Sequence, residues 1–200
     1  MEKSQIEELL EKQREYFSSG ATLPAGARIA ALKKLKSTII AREKDIFEAL
    51  KIDLGKSGFE SYMCEVGMTL SEISYMLKHI RSFSRDKRVP TPPAQYVAKS
   101  YIKKCPYGCT LIMSPWNYPF MLSLDPLVDA VAAGNTVILK PSAYSPATSA
   151  LLAEIISETF PEKYVAVVLG GRAENSALLD MPFDKIFFTG SVAVGKEVMR

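Results

Sequence analysis

The sequence predicts an α/β protein in which a layer of amino-terminal helices packs against a parallel sheet with flanking helices. Two observations lead to this prediction. Up to about residue 84, apolar residues recur at three- and four-residue steps, the period of helices with one buried face. From residue 108 onwards, short apolar runs alternate with helical segments and glycine- or proline-containing turns, which is typical of βαβ units.

The composition is that of a globular protein. Of the 200 residues, 48% are hydrophobic and 24% are charged, which excludes a disordered chain, and the net charge of +3 argues against a nucleic-acid partner. Three cysteines are too few for a disulfide scaffold and suit a reducing compartment. Residues 1–14 are too charged for a signal peptide, and prolines interrupt the weakly charged run 105–134, so no membrane span is expected. We therefore expect a cytoplasmic protein.

Residues 1–84 are predicted to form the helical layer. A first apolar stripe covers residues 6–17, a second region opens at Pro24 and stops at Gly55, and a third stripe covers residues 66–83. Because a helix with one apolar stripe must bury it, this layer is expected to pack on a core formed elsewhere in the chain.

Residues 85–104 are predicted to be a proline-rich linker with exposed strands. Basic residues give way to prolines here, and the interleaved Asp86 favours a solvated linker over a nucleic-acid patch. From Gln95 to Lys104 the sequence alternates loosely, which predicts one or two strands outside the parallel sheet. An exposed strand pair is a candidate contact between two copies of the chain.

Residues 105–200 are predicted to form a Rossmann-like region. The expected strands and helices alternate: strand 110–113, helix 120–133, strand 136–139, helix 146–159, strand 165–169, helix 173–179, strand 185–188, and a last helix that begins within 190–195. Gly134 is expected to end its helix, and Ser145 is expected to be the N-cap before Pro146 in the first helical position.

Three of the predicted strands end in residues of unusual type, and ligands of open parallel sheets bind at such ends. The first end is Ser114-Pro115-Trp116-Asn117-Tyr118-Pro119, where the Asn117 amide could donate to a developing oxyanion or could cap a helix. The second end is Lys140, which could reach a ribose hydroxyl or a phosphate, or could be a solvated side chain.

The third end is the turn from Phe188 to Gly195, which has glycines at both ends. Such a turn suits either a pyrophosphate at a helix N-terminus or simple tight packing. It lacks the Gly-x-Gly-x-x-Gly fingerprint, and it is not a P-loop, because Lys196 is followed by Glu197.

Four runs taken together resemble the aldehyde dehydrogenase superfamily. They occur in family order and spacing, and they are Pro115–Phe120, Ala132–Asn135, Leu139–Ser142 and Phe188–Ser191. The helical part, with Asp53–Lys56, Glu60, Tyr62, Glu65, Val66 and Glu72-Ile73, is similar to the short-N-terminus branch that includes the class 3 enzymes. The resemblance covers essentially the whole chain.

The resemblance implies NAD- or NADP-dependent oxidation of an aldehyde to a carboxylic acid, through a cysteine thiohemiacetal and a glutamate that activates water. It implies that Asn117 donates to the oxyanion and that Lys140 binds the adenosine ribose. The other cofactor-binding residues that it implies are Met113, Ser114, Pro115, Trp116, Ser142, Ala143, Phe188, Gly190, Ser191 and Gly195. It also implies a homodimer for the complete protein.

The sequence departs from the family pattern in two respects. The family's nucleophile and base lie beyond the turn at 190–195, and Cys64, Cys105 and Cys109 lack the nucleophile's context, so we expect three inert thiols. His79 is the only histidine, so no metal site is expected. Ala143 stands where many NAD-preferring relatives have a glutamate, and its lack of charge is expected to admit the 2′-phosphate of NADP.

We therefore expect the chain to be the N-terminal portion of an aldehyde dehydrogenase, without the catalytic domain and inactive alone. Two alternatives stay open. One is a catalytically inactive nucleotide-binding fragment. The other is an acyl-phosphate or acyl-thioester reductase of the same superfamily, against which the Trp116-Asn117 pair argues.

Overall fold

A computed structural model describes residues 1–200 as an α/β fold with nine α-helices and six strands. The helices are α1 (Lys3–Ser18), α2 (Ala25–Ala41), α3 (Glu43–Leu54), α4 (Gly58–Ser61), α5 (Gly67–Phe83), α6 (Met121–Ala133), α7 (Pro146–Thr159), α8 (Arg172–Leu179) and α9 (Val192–Val198). The strands are β1 (Lys87–Val89), β2 (Ser100–Ile102), β3 (Cys109–Met113), β4 (Thr136–Lys140), β5 (Val165–Val167) and β6 (Lys185–Phe188). None of the helices combines the length and apolar character that crossing a membrane requires.

The centre of the fold is a four-stranded parallel sheet with the order β5-β4-β3-β6. Every residue of the two central strands, β3 and β4, is buried. Strands covered on both faces read as continuous apolar runs, which is why both were recognisable from sequence. The predicted α/β class with a parallel sheet and flanking helices is confirmed.

Alternate residues of the central strands point into two separate hydrophobic cores. On one face, Ile112 and Leu139 pack with α6 and α7, and with α2, α3 and α5 in a further layer. On the other face, Leu111 and Ile138 pack with α1 and α8. Each fully buried Leu or Ile side chain contributes about 1.5–3 kcal/mol to the free energy of folding. The buried residues therefore stabilise the packing of helices on both faces of the sheet.

One difference from the prediction lies in the amino-terminal helices. The region between Pro24 and Gly55 is two helices, because the chain turns at Arg42, whose φ and ψ are −99° and 13°. The Arg42 guanidinium binds Asp45 in the next turn and also binds Glu154 on α7 at 2.7 Å. The helical period continues across this turn, and the break is therefore invisible in the apolar pattern.

The predicted linker contains a strand that the sequence did not indicate. Residues 87–89 form β1, which pairs antiparallel with β2, and Val89 lies opposite Ser100. Lys87-Arg88-Val89 has no apolar alternation, so its strand conformation depends on the partner strand. The expected strand from Gln95 to Lys104 was too long, since residues 93–95 form a short 3-10 turn and only Ser100–Ile102 is extended.

The start of α7 is capped from a distance. Ser145 occupies the N-cap position before Pro146 as predicted, but its side chain does not cap the helix. The Asp53 carboxylate of α3 does so instead, accepting hydrogen bonds from the amides of Ala147 at 3.1 Å and Thr148 at 2.7 Å. A carboxylate suits a helix N-terminus, where amides lack partners and the dipole is positive.

Candidate active site

Three strand ends meet at one edge of the sheet. Met113, the last residue of β3, is in register with Lys140 at the end of β4 and with Phe188 at the end of β6. The amide of Ser114 donates to the Lys140 carbonyl at 3.2 Å, and the amide of Thr189 donates to the Met113 carbonyl at 3.0 Å. The structure thus places the three runs singled out in the sequence side by side, at the carboxyl edge where parallel sheets bind ligands.

The run from Ser114 to Pro119 is a loop whose two ends are tied together. The Ser114 and Ser123 hydroxyls lie 2.6 Å apart, and the Ser123 hydroxyl donates to the Pro119 carbonyl at 2.5 Å. Both ends of the loop are buried, whereas Trp116 and Asn117 between them are exposed. The exposed Asn117 amide is thus available to a molecule that approaches this edge.

Two residues beside this loop, Lys56 and Glu65, were indicated by the sequence only through the resemblance to the family. Lys56 and Glu65 form a buried ion pair, with 2.5 Å between Nζ and Oε1 and side-chain exposures of 8% and 0%. The Lys56 ammonium also donates to the Asn117 carbonyl at 3.2 Å, and Glu65 Oε2 accepts from the Phe120 amide at 2.8 Å. In the sequence itself, the one feature that could have indicated Lys56 and Glu65 is that they are charged residues next to apolar helical stripes.

Lys140 is not the solvated lysine that the residue type alone suggests, since it is 3% exposed. Its ammonium donates to the Pro141 carbonyl at 2.9 Å and to the Gly170 carbonyl at 2.7 Å. Burial lowers the pKa of Lys140, and the nearby Glu174 carboxylate partly opposes this effect. An ammonium has three N–H donors, so one remains for a further acceptor such as a ribose hydroxyl.

The turn after β4 is open and lacks acidic side chains. Ser142 is partly buried, its hydroxyl accepts from the Tyr144 amide at 3.2 Å, and its carbonyl accepts from the Ser149 hydroxyl at 2.8 Å. Ala143 and Tyr144 are exposed. These features, with the third donor of Lys140, fit the hydroxyl-rich ribose of a dinucleotide.

The turn after β6 packs tightly on its own strand. A Cβ atom on Gly190 would lie 2.5 Å from Phe188 Cζ, which is too close, whereas one on Gly195 would make only an ordinary contact at 3.6 Å from Phe188 Cε1. The Ser191 hydroxyl accepts from the Val194 amide at 3.3 Å and so caps α9. Close packing against Phe188 therefore accounts for glycine at position 190. Contact between Ser191 and a cofactor phosphate stays a prediction.

The cysteines lie in unrelated surroundings. Cys109 is buried in β3, its sulfur accepts from the Thr136 hydroxyl at 3.2 Å, and burial raises the pKa of its thiol. Cys64 lies in a π-helical turn, and Cys105 is exposed ahead of β3, away from the carboxyl edge. No three His, Cys, Asp or Glu side chains come close enough together to hold a metal ion.

One cavity lies away from the carboxyl edge of the sheet. It has a volume of about 840 Å³ and is lined by Phe17, Arg28, Phe83, Cys105 and Ala133, among others. Cys105 precedes β3 and Ala133 ends α6, so the cavity lies near the amino ends of the strands. The candidate site is therefore the carboxyl edge of the sheet and not this cavity.

Comparison with known proteins agrees with the motifs. The family model described as "Aldehyde dehydrogenase family" matches residues 1–200. The chain is 44% identical over 195 residues to 4,4'-diaponeurosporen-aldehyde dehydrogenase of Staphylococcus aureus, covering 98% of this chain and 42% of that protein. It is 45% identical over 190 residues to aldehyde dehydrogenase family 3 member B1 of Bos taurus, covering 95% of this chain and 41% of that protein.

Solved structures show the same fold. The substrate-bound state of Staphylococcus aureus AldH superposes with a TM-score of 0.95 and 43% identity, covering 97% of this chain and 42% of that one. A glyceraldehyde-3-phosphate dehydrogenase from Methanocaldococcus jannaschii, complexed with NADP, superposes with a TM-score of 0.84 at 22% identity, covering 100% of this chain and 44% of that one, which shows likeness of fold alone. The chain therefore spans about two fifths of the length of these proteins.

Proposed function

Because the chain belongs to the aldehyde dehydrogenase family, we propose that the complete enzyme containing it oxidises an aldehyde to a carboxylic acid with NAD or NADP. "Complete enzyme" here means a protein of the relatives' length that includes these 200 residues. The observation that supports the proposal most directly is that Met113, Lys140 and Phe188 meet at one sheet edge. The loop from Ser114 to Pro119, called the Asn117 loop below, lies beside them.

Asn117 is proposed as the oxyanion donor. When an aldehyde carbonyl is attacked, negative charge develops on its oxygen, and an amide N–H in place before the reaction stabilises that charge. The Asn117 side chain is exposed at the carboxyl edge of the sheet, on a loop with anchored ends. Such a fixed donor does not have to reorganise when the charge appears.

The same edge is proposed to bind the cofactor. NAD or NADP, when bound, supplies the acceptor for the hydride that leaves the substrate. Lys140 is proposed to bind an adenosine ribose hydroxyl through its third N–H, with Ser142 and Ala143 next to that ribose. The Met113–Trp116 segment is proposed to line the cleft, and Ser191 with the turn between Gly190 and Gly195 is proposed to lie near the phosphates.

None of the three thiols in this chain is proposed as the nucleophile. Cys109 is buried with a raised pKa, and a thiol held protonated is a poor nucleophile. Cys105 lies before β3, at the end of the sheet away from Asn117. We therefore propose that the attacking cysteine and the water-activating glutamate belong to the remainder of the complete enzyme, and that the 200-residue chain alone binds nucleotide without turnover.

Substitution of Asn117 tests the proposed role in the complete enzyme. With benzaldehyde or a long-chain aldehyde as substrate, we expect Asn117→Ala to lower kcat by on the order of 10²–10³, as the loss of one oxyanion donor does. Nucleotide affinity should change by less than about threefold, since the amide is proposed to act only in the transition state. Gln5→Ala, which removes an exposed side-chain amide from α1, is the matched control.

The alternatives predict different results in the same assay. A kcat for Asn117→Ala within about threefold of the parent would contradict the oxyanion role. Nucleotide binding without reduction by any aldehyde would favour a nucleotide-binding protein. Oxidation of NADPH that depends on an acyl phosphate or acyl thioester, without aldehyde oxidation, would favour the reductase alternative.

Two further properties are proposed for the complete enzyme. We propose that it is a homodimer, because the β1–β2 pair exposes apolar side chains that the chain itself does not cover. A cytoplasmic location stays a prediction from the cysteine content. The division into residues 1–84, 85–104 and 105–200 likewise stays a prediction.

A further inference from the structure

The buried ion pair between Lys56 and Glu65 is not explained by oxidation chemistry or by cofactor binding. Both side chains are almost fully covered, and they lie next to the exposed Asn117 loop. Replacing a buried ion pair by apolar residues is often neutral or stabilising, so such a pair is weak evidence for a role in stability alone. The contacts that the two side chains make therefore indicate a role other than stability.

The lysine contacts the middle of the loop. Lys56 follows Gly55, the left-handed residue that ends α3, and its ammonium donates to the Asn117 carbonyl at 3.2 Å. The same ammonium lies 4.2 Å from the centroid of the Tyr118 ring, within the range of a cation–π contact. One cation therefore contacts the backbone of Asn117 and the side chain of the following residue.

The glutamate contacts the end of the loop. Glu65 Oε1 binds Lys56, while Oε2 accepts from the amides of Phe120 at 2.8 Å and Met121 at 3.2 Å. Phe120 is the N-cap of α6 and has no side-chain group that could bind these amides. Glu65 thus caps α6 from outside, and through Lys56 it is joined to the carbonyl three residues earlier.

The position of Glu65 depends on an unusual turn. Residues 62–66 are π-helical, and the Gly67 amide donates to the Tyr62 carbonyl. A Cβ on Gly67 would lie 2.8 Å from that carbonyl oxygen, so the turn requires glycine at this place. Single π-helical turns are frequent at functional sites, where they shift a side chain off the regular helical face.

We propose that Lys56 and Glu65 are positioning residues, which hold the Asn117 loop at two points so that the amide is in place for the oxyanion. This inference rests on the proposed function. A displacement of about 1 Å of a group in an active site can cost on the order of 10²-fold in rate. Two fixed points, at the Asn117 carbonyl and at the start of α6, restrict such displacement.

The double variant Lys56→Met with Glu65→Gln removes both charges and keeps an oxygen for the two α6 amides. Trp116 is the only tryptophan and lies next to Asn117, so its fluorescence reports on this loop alone. In the 200-residue chain we expect acrylamide quenching of Trp116 to rise by roughly twofold as the loop gains motion. In the complete enzyme we expect kcat to fall by about 10- to 100-fold, with nucleotide affinity unchanged.

Two further variants separate positioning from general damage. Gly67→Ala leaves both charges in place and displaces the π-helical turn, so it should raise Trp116 quenching in the same direction. Lys12→Met breaks the exposed Lys12–Glu8 pair and should leave both readouts at the parent values. Circular dichroism establishes that each variant is folded, and Glu65→Gln alone replaces the double variant if the latter does not fold.

Unchanged Trp116 quenching in a folded double variant would overturn the proposal, because the loop would then not depend on the pair. Raised quenching with an unchanged kcat would also overturn it, because the position of the loop would then not matter to the reaction. A complete enzyme that oxidises no aldehyde would defeat the proposed function instead, and the quenching result would still decide whether the pair holds the loop.

Discussion

Ala143 lies in the open turn after β4, three residues beyond Lys140. No acidic side chain is present between Pro141 and Tyr144, so a 2′-phosphate on the adenosine ribose meets no repulsion from this turn. The carboxylate whose charge reaches Lys140 is Glu174, which is already bound to the Gly171 amide at 2.8 Å. We therefore expect the complete enzyme to use NADP at a rate comparable to NAD, or to prefer it.

Ala143→Glu should shift this preference towards NAD by about 1–3 kcal/mol, the scale of one partly screened charge contact. The measurement is the ratio of kcat/KM for NADP and NAD in the complete enzyme. Ala150→Glu, an exposed position on α7, is the control and should leave the ratio at the parent value. Strict dependence on NAD in the parent, or an unmoved ratio in Ala143→Glu, would contradict the assignment.

Asp125 on α6 is expected to make the stability of the fold depend on pH. Burial raises the pKa of its carboxyl from 3.8 to about 6; the Thr69 hydroxyl, which donates to it at 2.8 Å, opposes this effect and Glu72 adds to it. The folded chain thus keeps a proton that the unfolded chain releases. The free energy of unfolding should therefore fall as pH rises from about 4 to about 6, and should be level above that range.

Asp125→Asn removes this titration and keeps an oxygen for the Thr69 hydroxyl. We expect the variant to be more stable than the parent at pH 8, by on the order of 1–2 kcal/mol, and to lose most of that advantage at pH 4. Urea unfolding at several pH values measures the difference. The control is Asp86→Asn, at an exposed position, whose free energy of unfolding should change with pH as that of the parent does. A gain in stability of Asp125→Asn over the parent that is equal at pH 4 and pH 8 would refute the explanation.

The residues of the candidate site differ in how far the sequence could predict them. Lys140 ends an apolar strand and Asn117 lies four residues beyond the end of another, so their place at the carboxyl edge could be inferred from neighbouring residues. Lys56 and Glu65 could not, because their contacts are with Asn117 and Phe120, more than fifty residues later in the chain. No local pattern indicates which of many charged residues will be buried against a distant loop.

At the scale of elements, α7 also shows that the sequence predicts local features but not contacts between distant residues. The dipeptide Ser145-Pro146 correctly predicted where the helix begins, because N-cap and first-turn preferences are local. The group that binds the helix amides is nevertheless Asp53, from α3. This contact joins the helical layer to the helix that follows the proposed ribose-binding turn, so one carboxylate fixes two elements relative to each other.

Asp53→Ala should destabilise the chain by about 1–2 kcal/mol, the upper part of the range for loss of an N-cap, because the Ala147 and Thr148 amides lose their acceptor together. Thermal and urea unfolding of the chain measure the effect. Glu48→Ala removes an exposed carboxylate from the same helix and should change stability by less than about 0.5 kcal/mol. Equal effects for the two substitutions would show that Asp53 does not act as a cap.

At the scale of the whole molecule, the parallel sheet and its two cores follow from the apolar runs of β3 and β4, which local sequence reveals. The β1–β2 pair does not follow in this way. Its strands are three residues each, and β1 includes two basic residues, so only the pairing with β2 makes it extended. In β2 the side chains of Tyr101 and Ile102 are 57% and 54% exposed, and in the connection from β1 to β2 Tyr96 and Val97 are 91% and 93% exposed.

Exposure of this kind on a two-stranded sheet leads to the prediction of a dimer contact. A strand pair with open edges and uncovered aromatic side chains gains by pairing with a second copy. We expect the complete enzyme to sediment as a dimer at micromolar concentration, and Tyr101→Ser with Ile102→Ser to raise its dissociation constant by about tenfold or more, since two buried apolar side chains would be lost. Ile40→Ser, at a comparably exposed position on α2, should leave the dimer intact. A monomeric parent would contradict the predicted dimer, and a β2 variant that dimerises like the parent would place the contact elsewhere.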